Sequence, residues 1–172
     1  LRIDRETDTG ISDATLEKIS RFIEDKMPQV DVVLISDYGK GLITQKLLSR
    51  LTASAQKHQK MSVVDPKGLD FSNYSGAYLL TPNKKEAALA SGVEIVDEST
   101  LEKSANKIFE TVGLDKLLIT CGKEGMVLFD KIREPFRVRA EARQVYDVSG
   151  AGDTVLSVLG LAIASGASIH TA

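Results

Sequence analysis

A single cysteine, Cys121, stands among 172 residues, so the chain has no internal disulfide framework, which fits a reducing, cytoplasmic compartment. No apolar run approaches the length that crosses a bilayer, and the opening Leu1-Arg2-Ile3-Asp4-Arg5-Glu6 is too polar for a signal peptide. Neither sign of charge prevails. The 22 Lys and Arg against 24 Asp and Glu give a formal net charge of −2, which offers no electrostatic reason to expect nucleic acid or an anionic membrane as partner. Repeats and low-complexity tracts are also missing. What is present is 42% hydrophobic residues, enough for a core, in a length that suits one domain better than two. A first residue of Leu rather than Met points to sequence upstream.

Apolar β-type runs alternate with amphipathic helical runs, the pattern of an α/β protein with a mostly parallel sheet. The spacing of Leu16, Ile19, Phe22 and Ile23 predicts a helix over Ser12 to Lys26 with those four on its buried stripe. Strands are expected at Val32 to Ile35, Ser62 to Val64, Tyr78 to Leu80 and Leu117 to Thr120, and a helix from about Thr44 to His58. Thr81-Pro82-Asn83-Lys84-Lys85-Glu86 opens a short helix that Gly92 closes. Ser99 and Glu102 stand in capping-box register for a further helix ending near Val112 and Gly113. Met126 to Asp130 follows as a hairpin or antiparallel edge, with another strand at Phe136 to Ala140. Last comes an apolar, small-residue helix reaching about Ser165, expected to be buried on most sides.

In open parallel sheets, ligands gather at the carboxyl ends of strands, and every unusual loop here falls at such an end. The most informative is Gly150-Ala151-Gly152-Asp153, where two glycines let the backbone turn tightly and present N–H groups at a helix start. Such a terminus favours negative charge through its free donors and the helix dipole. A carboxylate set on it is odd unless it has work there. In a phosphoryl transfer the amides would hold developing charge while Asp153 takes the proton from the attacking hydroxyl. Taken alone, the same four residues also suit a plain helix start with Asp153 complementing the dipole.

The surrounding motifs decide between these. Asp147-Val148-Ser149-Gly150-Ala151-Gly152-Asp153-Thr154 resembles the C-terminal signature of the ribokinase-like (PfkB) carbohydrate kinases. Asn83 and Glu86 match that family's Asn-x-x-Glu element, and Thr120-Cys121-Gly122-Lys123-Glu124-Gly125 its nucleotide-side glycine loop. Within the family, Ser36-Asp37-Tyr38-Gly39-Lys40-Gly41, Asp65-Pro66-Lys67-Gly68 and the opening segment are similar to bacterial D-glycero-β-D-manno-heptose 7-phosphate kinases of ADP-heptose and lipopolysaccharide core biosynthesis. In those the kinase domain is often fused to an adenylyltransferase.

The resemblance implies a three-layer ribokinase-like α/β fold, present here as the central to C-terminal portion of the kinase domain, with its N-terminal part, lid and C-terminal end lying outside 1–172. It implies ATP and Mg²⁺ as cofactors, a sugar phosphate as partner and a homodimer formed through the lid. Asp153 becomes the catalytic base, and Gly150, Ala151 and Gly152 the anion hole. Asn83 and Glu86 would organise the triphosphate and hydrated magnesium, Glu86 through water. Thr120, Gly122 and Gly125 would line the nucleotide, while Cys121 is a small apolar filler. Asp147 and Ser149 match positions that help hold a monovalent cation, potassium, in relatives. The family often has a lysine where Thr81 stands, so Lys67 is expected to replace it at the nucleotide phosphates, with Asp37 and Lys40 facing the sugar phosphate. Other acceptors of the class, fructose 1-phosphate, fructose 6-phosphate or ribose, stay open, as does a non-catalytic nucleotide-binding module.

Overall fold

The computed structural model describes residues 10–141 and 150–172. Helix α1, Asp13–Lys26, begins where the Ser12 hydroxyl accepts from Thr15 N, and a 3₁₀ turn, Met27–Gln29, ends it at Pro28. Strand β1, Val32–Ser36, leads to helix α2, Gln45–Lys57, capped by Thr44. Strand β2, Met61–Asp65, is followed by the short β3, Leu79–Leu80, and helix α3, Lys84–Ser91, which stops at Gly92 with a left-handed φ of 68°. Helix α4, Glu98–Val112, strand β4, Lys116–Thr120, strands β5, Met126–Asp130, and β6, Arg133–Val138, and helix α5, Ala151–Ala164, complete the order.

The six strands form one sheet in sequence order, β1 to β4 parallel and β5 and β6 antiparallel. The predicted mostly parallel α/β sheet is therefore found. Helices lie on both faces. On one, Leu48 and Leu51 of α2, Ala87 of α3 and Leu101, Ala105 and Ile108 of α4 close over Ile35, Val64, Leu80, Leu117 and Ile119. On the other, Leu156, Leu159 and Ile163 of α5 pack on Val63, Leu79, Leu118 and Leu128. No helix among the described residues is long and apolar enough to cross a membrane.

Four expectations change. The α4 cap is Asp97, not Ser99: Thr100 N donates to Asp97 Oδ1 at 2.8 Å and Asp97 N to Thr100 Oγ1 at 3.0 Å, because the better acceptor two residues earlier completes its own reciprocal box. Strand β6 starts at Arg133 and ends at Val138 because a tight turn at Lys131 and Ile132 closes the hairpin, with Ile132 N donating to Asp130 Oδ1. Phe22 is 62% exposed, since α1 packs on α2 and buries only Leu16 fully. Finally, α5 is buried on one side alone. Val158 and Leu161 are 57% and 70% exposed, because one layer of sheet supports one stripe of a helix. Where α5 crosses β1 the approach is close enough that a Cβ at Gly160 would come within 2.6 Å of the Leu34 side chain.

Candidate active site

Register places the chemistry. Ser36 pairs with Asp65 across β1 and β2, Thr81 N donates to Val64 O at 2.9 Å, and Asn83 bridges to Thr120. The carboxyl ends of four parallel strands thus finish at one level, beside the N-terminus of α5. Between them lies an open cleft of about 550 Å³, lined by Tyr38, Asp65, Lys67, Thr81, 83–86, 120–122 and 150–153.

At the α5 end, Gly150 caps the helix with φ 78°, a left-handed conformation that a side chain would strain. The first helical bond is Thr154 N to Gly150 O at 2.9 Å, so the N–H groups of Ala151, Gly152 and Asp153 find no acceptor within the helix. Asp153, in the first turn and half-buried, accepts from Ser36 Oγ at 3.1 Å on Oδ1 and from Tyr38 OH at 2.9 Å on Oδ2. Both partners are neutral hydroxyls, which orient the carboxylate without cancelling its charge.

The opposite wall is ionic. Asn83 and Glu86 form a reciprocal capping box: Glu86 N donates to Asn83 Oδ1 and Asn83 N to Glu86 Oε2, each at 2.9 Å. Glu86 Oε1 takes the Lys67 ammonium as an ion pair, and Asp65 Oδ2 lies 3.8 Å from the same nitrogen. Burial pushes the Asp65 carboxyl up to about 6; Lys67 opposes this, while the negative charges of Glu86, Asp153 and Asp37 reinforce it. Burial alone would lower the Lys67 ammonium, but the Glu86 hydrogen bond and the surrounding carboxylates hold it above its ordinary value. Lys67 is therefore a firmly charged cation amid acids.

Of the residues singled out from sequence, Asn83, Glu86, Lys67, Thr120, Gly122, Gly150, Ala151, Gly152 and Asp153 come together in this cleft. Cys121 joins them half-buried, its thiol pushed up by burial, in keeping with a filler. Asp37, Lys40 and Gly125 do not line it. The Asp37 carboxylate instead accepts from Gly39 N at 2.7 Å and from Tyr74 OH at 2.7 Å, and it is buried behind the loop. Lys40 is exposed on that loop. Gly125 is glycine because a side chain there would collide with the Val138 carbonyl of the neighbouring strand, and because its φ is 92°. Asp147 and Ser149 lie outside the described residues, as does the opening segment before residue 10.

Ser36, Tyr38, Asp65 and Thr81 are site residues that sequence reasoning passed over. Strand-end position was the one available signal for Asp65 and Ser36; their approach to Asp153, 117 residues away from Ser36, depends on tertiary register.

As for a divalent cation, the described residues contain no group of three or more acidic, His or Cys ligands built to hold one directly. Glu86 and Asp65 share one wall with a lysine. Such a donor set suits magnesium that keeps its water and is held jointly with phosphates, rather than an all-protein cage.

The sequence matches the model of the pfkB family carbohydrate kinases over residues 4–172. The bifunctional protein HldE of Desulfatibacillum aliphaticivorans is 55% identical over 172 residues, all of this chain and 35% of its own length. HldE of Trichlorobacter lovleyi is 45% identical over 166 residues, 96% of this chain and 34% of its own. The chain thus spans about a third of the length of these curated relatives. Among solved structures, Arabidopsis thaliana ribokinase complexed with ribose and ATP superposes with a TM-score of 0.74 at 22% identity, covering 96% of this chain and 50% of its own. Escherichia coli phosphofructokinase-2 in complex with potassium gives 0.78 at 20% identity, covering 93% and 52%. These likenesses carry the fold.

Proposed function

The chain belongs to the pfkB family of carbohydrate kinases, and from that premise we propose that it forms the phosphoryl-transfer cleft of an ATP-dependent kinase. Its acceptor in this reading is D-glycero-β-D-manno-heptose 7-phosphate, phosphorylated at the anomeric hydroxyl to the 1,7-bisphosphate. One observation carries the proposal: Asp153 stands in the first turn of α5, whose leading amides have no acceptor within the helix, facing the Lys67–Glu86 pair across the same cleft. The acceptor choice follows the HldE relatives and the loops at 36–41 and 65–68. Their name, bifunctional protein, accords with a kinase joined to a second activity, which we take to be an adenylyltransferase.

The γ-phosphoryl group moves in line from ATP to the acceptor oxygen. Asp153 takes the proton of that hydroxyl as the new bond forms, and its Ser36 contact fixes the direction of the receiving carboxylate. Amides 151–153 point at the transferred group and stabilise charge on its oxygens at no cost in reorganisation. Lys67 exchanges Glu86 for the phosphates, and Asn83, tied into the capping box, holds Glu86 in place. Magnesium, held through water by Glu86 beside the phosphates, would supply further neutralisation of the triphosphate.

A coupled kinase assay on heptose 7-phosphate, fructose 1-phosphate, fructose 6-phosphate and ribose tests the assignment. The heptose phosphate is expected to exceed the others in kcat/KM by at least about tenfold, the scale on which a few polar contacts discriminate. A fructose phosphate turned over equally well would move the acceptor. Nucleotide binding without turnover of any sugar would favour a non-catalytic module.

A further inference from the structure

Both oxygens of Asp153 are occupied before any substrate arrives, and the two occupants are unlike. Ser36 belongs to β1, where it pairs with Asp65, and the backbone just beyond it is pinned by Asp37 N donating to Asp65 O at 3.1 Å. The sheet holds the Ser36 backbone in place, so its hydroxyl leaves Asp153 only by turning about χ1 and has no mobile loop to carry it away. Tyr38 is 61% exposed on a loop flanked by Gly39 and Gly41, with φ of 67° and 80°. Its phenol reaches Oδ2 from the solvent side, and its departure exposes little apolar surface. The loop itself stays in place when the ring swings. Asp37 anchors it through Gly39 N and Tyr74 OH, and Tyr74 OH in turn accepts from Lys67 N at 2.9 Å.

We propose that Tyr38 is a stand-in for the acceptor hydroxyl: it occupies the Oδ2 position of Asp153 in the empty cleft and swings away when the acceptor binds, while Ser36 remains as the positioning residue. This rests on Asp153 being the base. A hydroxyl 2.9 Å from Oδ2 marks where an acceptor oxygen must sit to give up its proton. While Tyr38 holds that position, the carboxylate is oriented and shielded from a stray water, so ATP bound without acceptor finds no activated nucleophile beside it. Acceptor binding then exchanges one hydroxyl for another at nearly equal energy, and no buried charge is left bare at any stage.

The test uses the intact enzyme labelled with 3-fluorotyrosine, the Tyr38 ¹⁹F resonance being assigned by its loss in Tyr38→Phe. Saturating heptose 7-phosphate should move this resonance to the position it has in ligand-free Asp153→Ala, or in Asp153→Leu, which also lacks an acceptor, if the alanine variant does not fold; ATP alone should leave it unmoved. In kinetics, Tyr38→Phe keeps the ring and removes the competing hydroxyl, so the acceptor KM should fall about two- to tenfold. Ser36→Ala should instead lower kcat with the acceptor KM held. A Tyr38 resonance indifferent to acceptor, or a Tyr38→Phe variant whose acceptor KM stays or rises, overturns the proposal. Failure of the base assignment reads out separately, as full turnover by Asp153→Asn, because the resonance reports the Tyr38 contact whatever Asp153 does.

Discussion

The two walls of the cleft are built from opposite electrostatic principles. Along β2, β3 and α3, charge is balanced within the chain: Lys67 sits between Glu86 and Asp65, and Glu86 is tied to the backbone of Asn83. At α5, among the described residues, Asp153 is hydrogen-bonded by two neutral hydroxyls and stands beside amides that have no acceptor within the helix. A balanced wall suits holding a polyanion, because its cation can change partners at modest cost. An unbalanced wall suits chemistry, because its carboxylate gains by taking a proton and its amides gain by meeting an anion. If the division is right, substitutions at α5 damage turnover while sparing binding, and substitutions opposite do the reverse.

The sharpest way to break the comparison is Asp153→Asn. The amide keeps the shape and one acceptor oxygen but cannot take a proton, so kcat should fall about 10²- to 10⁴-fold with nucleotide affinity preserved. A loss confined to KM would place Asp153 with the binding wall. Gly152→Ala comes next. Its Cβ would meet nothing nearer than Asp65 Oδ2 at 3.8 Å, so the fold accepts the methyl, and helix propensity favours it by about 0.5–1 kcal/mol. The methyl nonetheless stands in the cleft beside the amides, and kcat should fall about tenfold or more while thermal stability holds or rises. On the balanced wall, Lys67→Met removes the cation from between two acids, and the KM for ATP should rise about tenfold, more than kcat falls. An unchanged KM and turnover would remove Lys67 from the phosphates.

How much of this was legible beforehand differs between the walls in the same way. Asn83, Glu86 and the Gly150–Asp153 turn are local motifs, each a helix N-terminus whose capping chemistry is written within four residues, and the sequence reveals them directly. The strands and helices likewise follow from periodicity, with boundaries shifted where a stronger local cap, Asp97, or a tight hairpin turn prevailed. What holds Asp153 was not legible. Ser36 and Tyr38 read as members of a loop motif with no role of their own until β1 and β2 pair in register and α5 crosses β1, a contact spanning more than a hundred residues. Asp37 differs from expectation for a related reason: its sequence neighbours face Asp153, but its own carboxylate turns inward at the start of the loop, where Gly39 N and Tyr74 OH donate to it. The exposed stripe of α5 was also beyond reach, since composition reports that a helix is apolar but not how many layers cover it.

The smallest effect tests whether the balanced wall is fully balanced. Asp65 is buried, its nearest cation is 3.8 Å away, and its carboxyl stands at about 6, above the ordinary carboxylate value of about 4. Between these values the folded chain holds a proton that the unfolded chain has released. Stability must therefore fall as pH rises from about 4 through 6, and it recovers on acidification only as far as this one group is concerned. Asp65→Asn removes that dependence. The full shift, already net of the attraction to Lys67, would correspond to about 3 kcal/mol, and solvent screening in the open cleft reduces this to a gain on the order of 1 kcal/mol at pH 7. Urea denaturation of the two proteins at pH 4 and pH 7 reads this directly: the curves should converge at the lower pH and separate at the higher, the variant being the more stable. Equal separation at both would mean that Asp65 is satisfied as an anion, and that the wall carries no residual strain for an incoming cation to relieve.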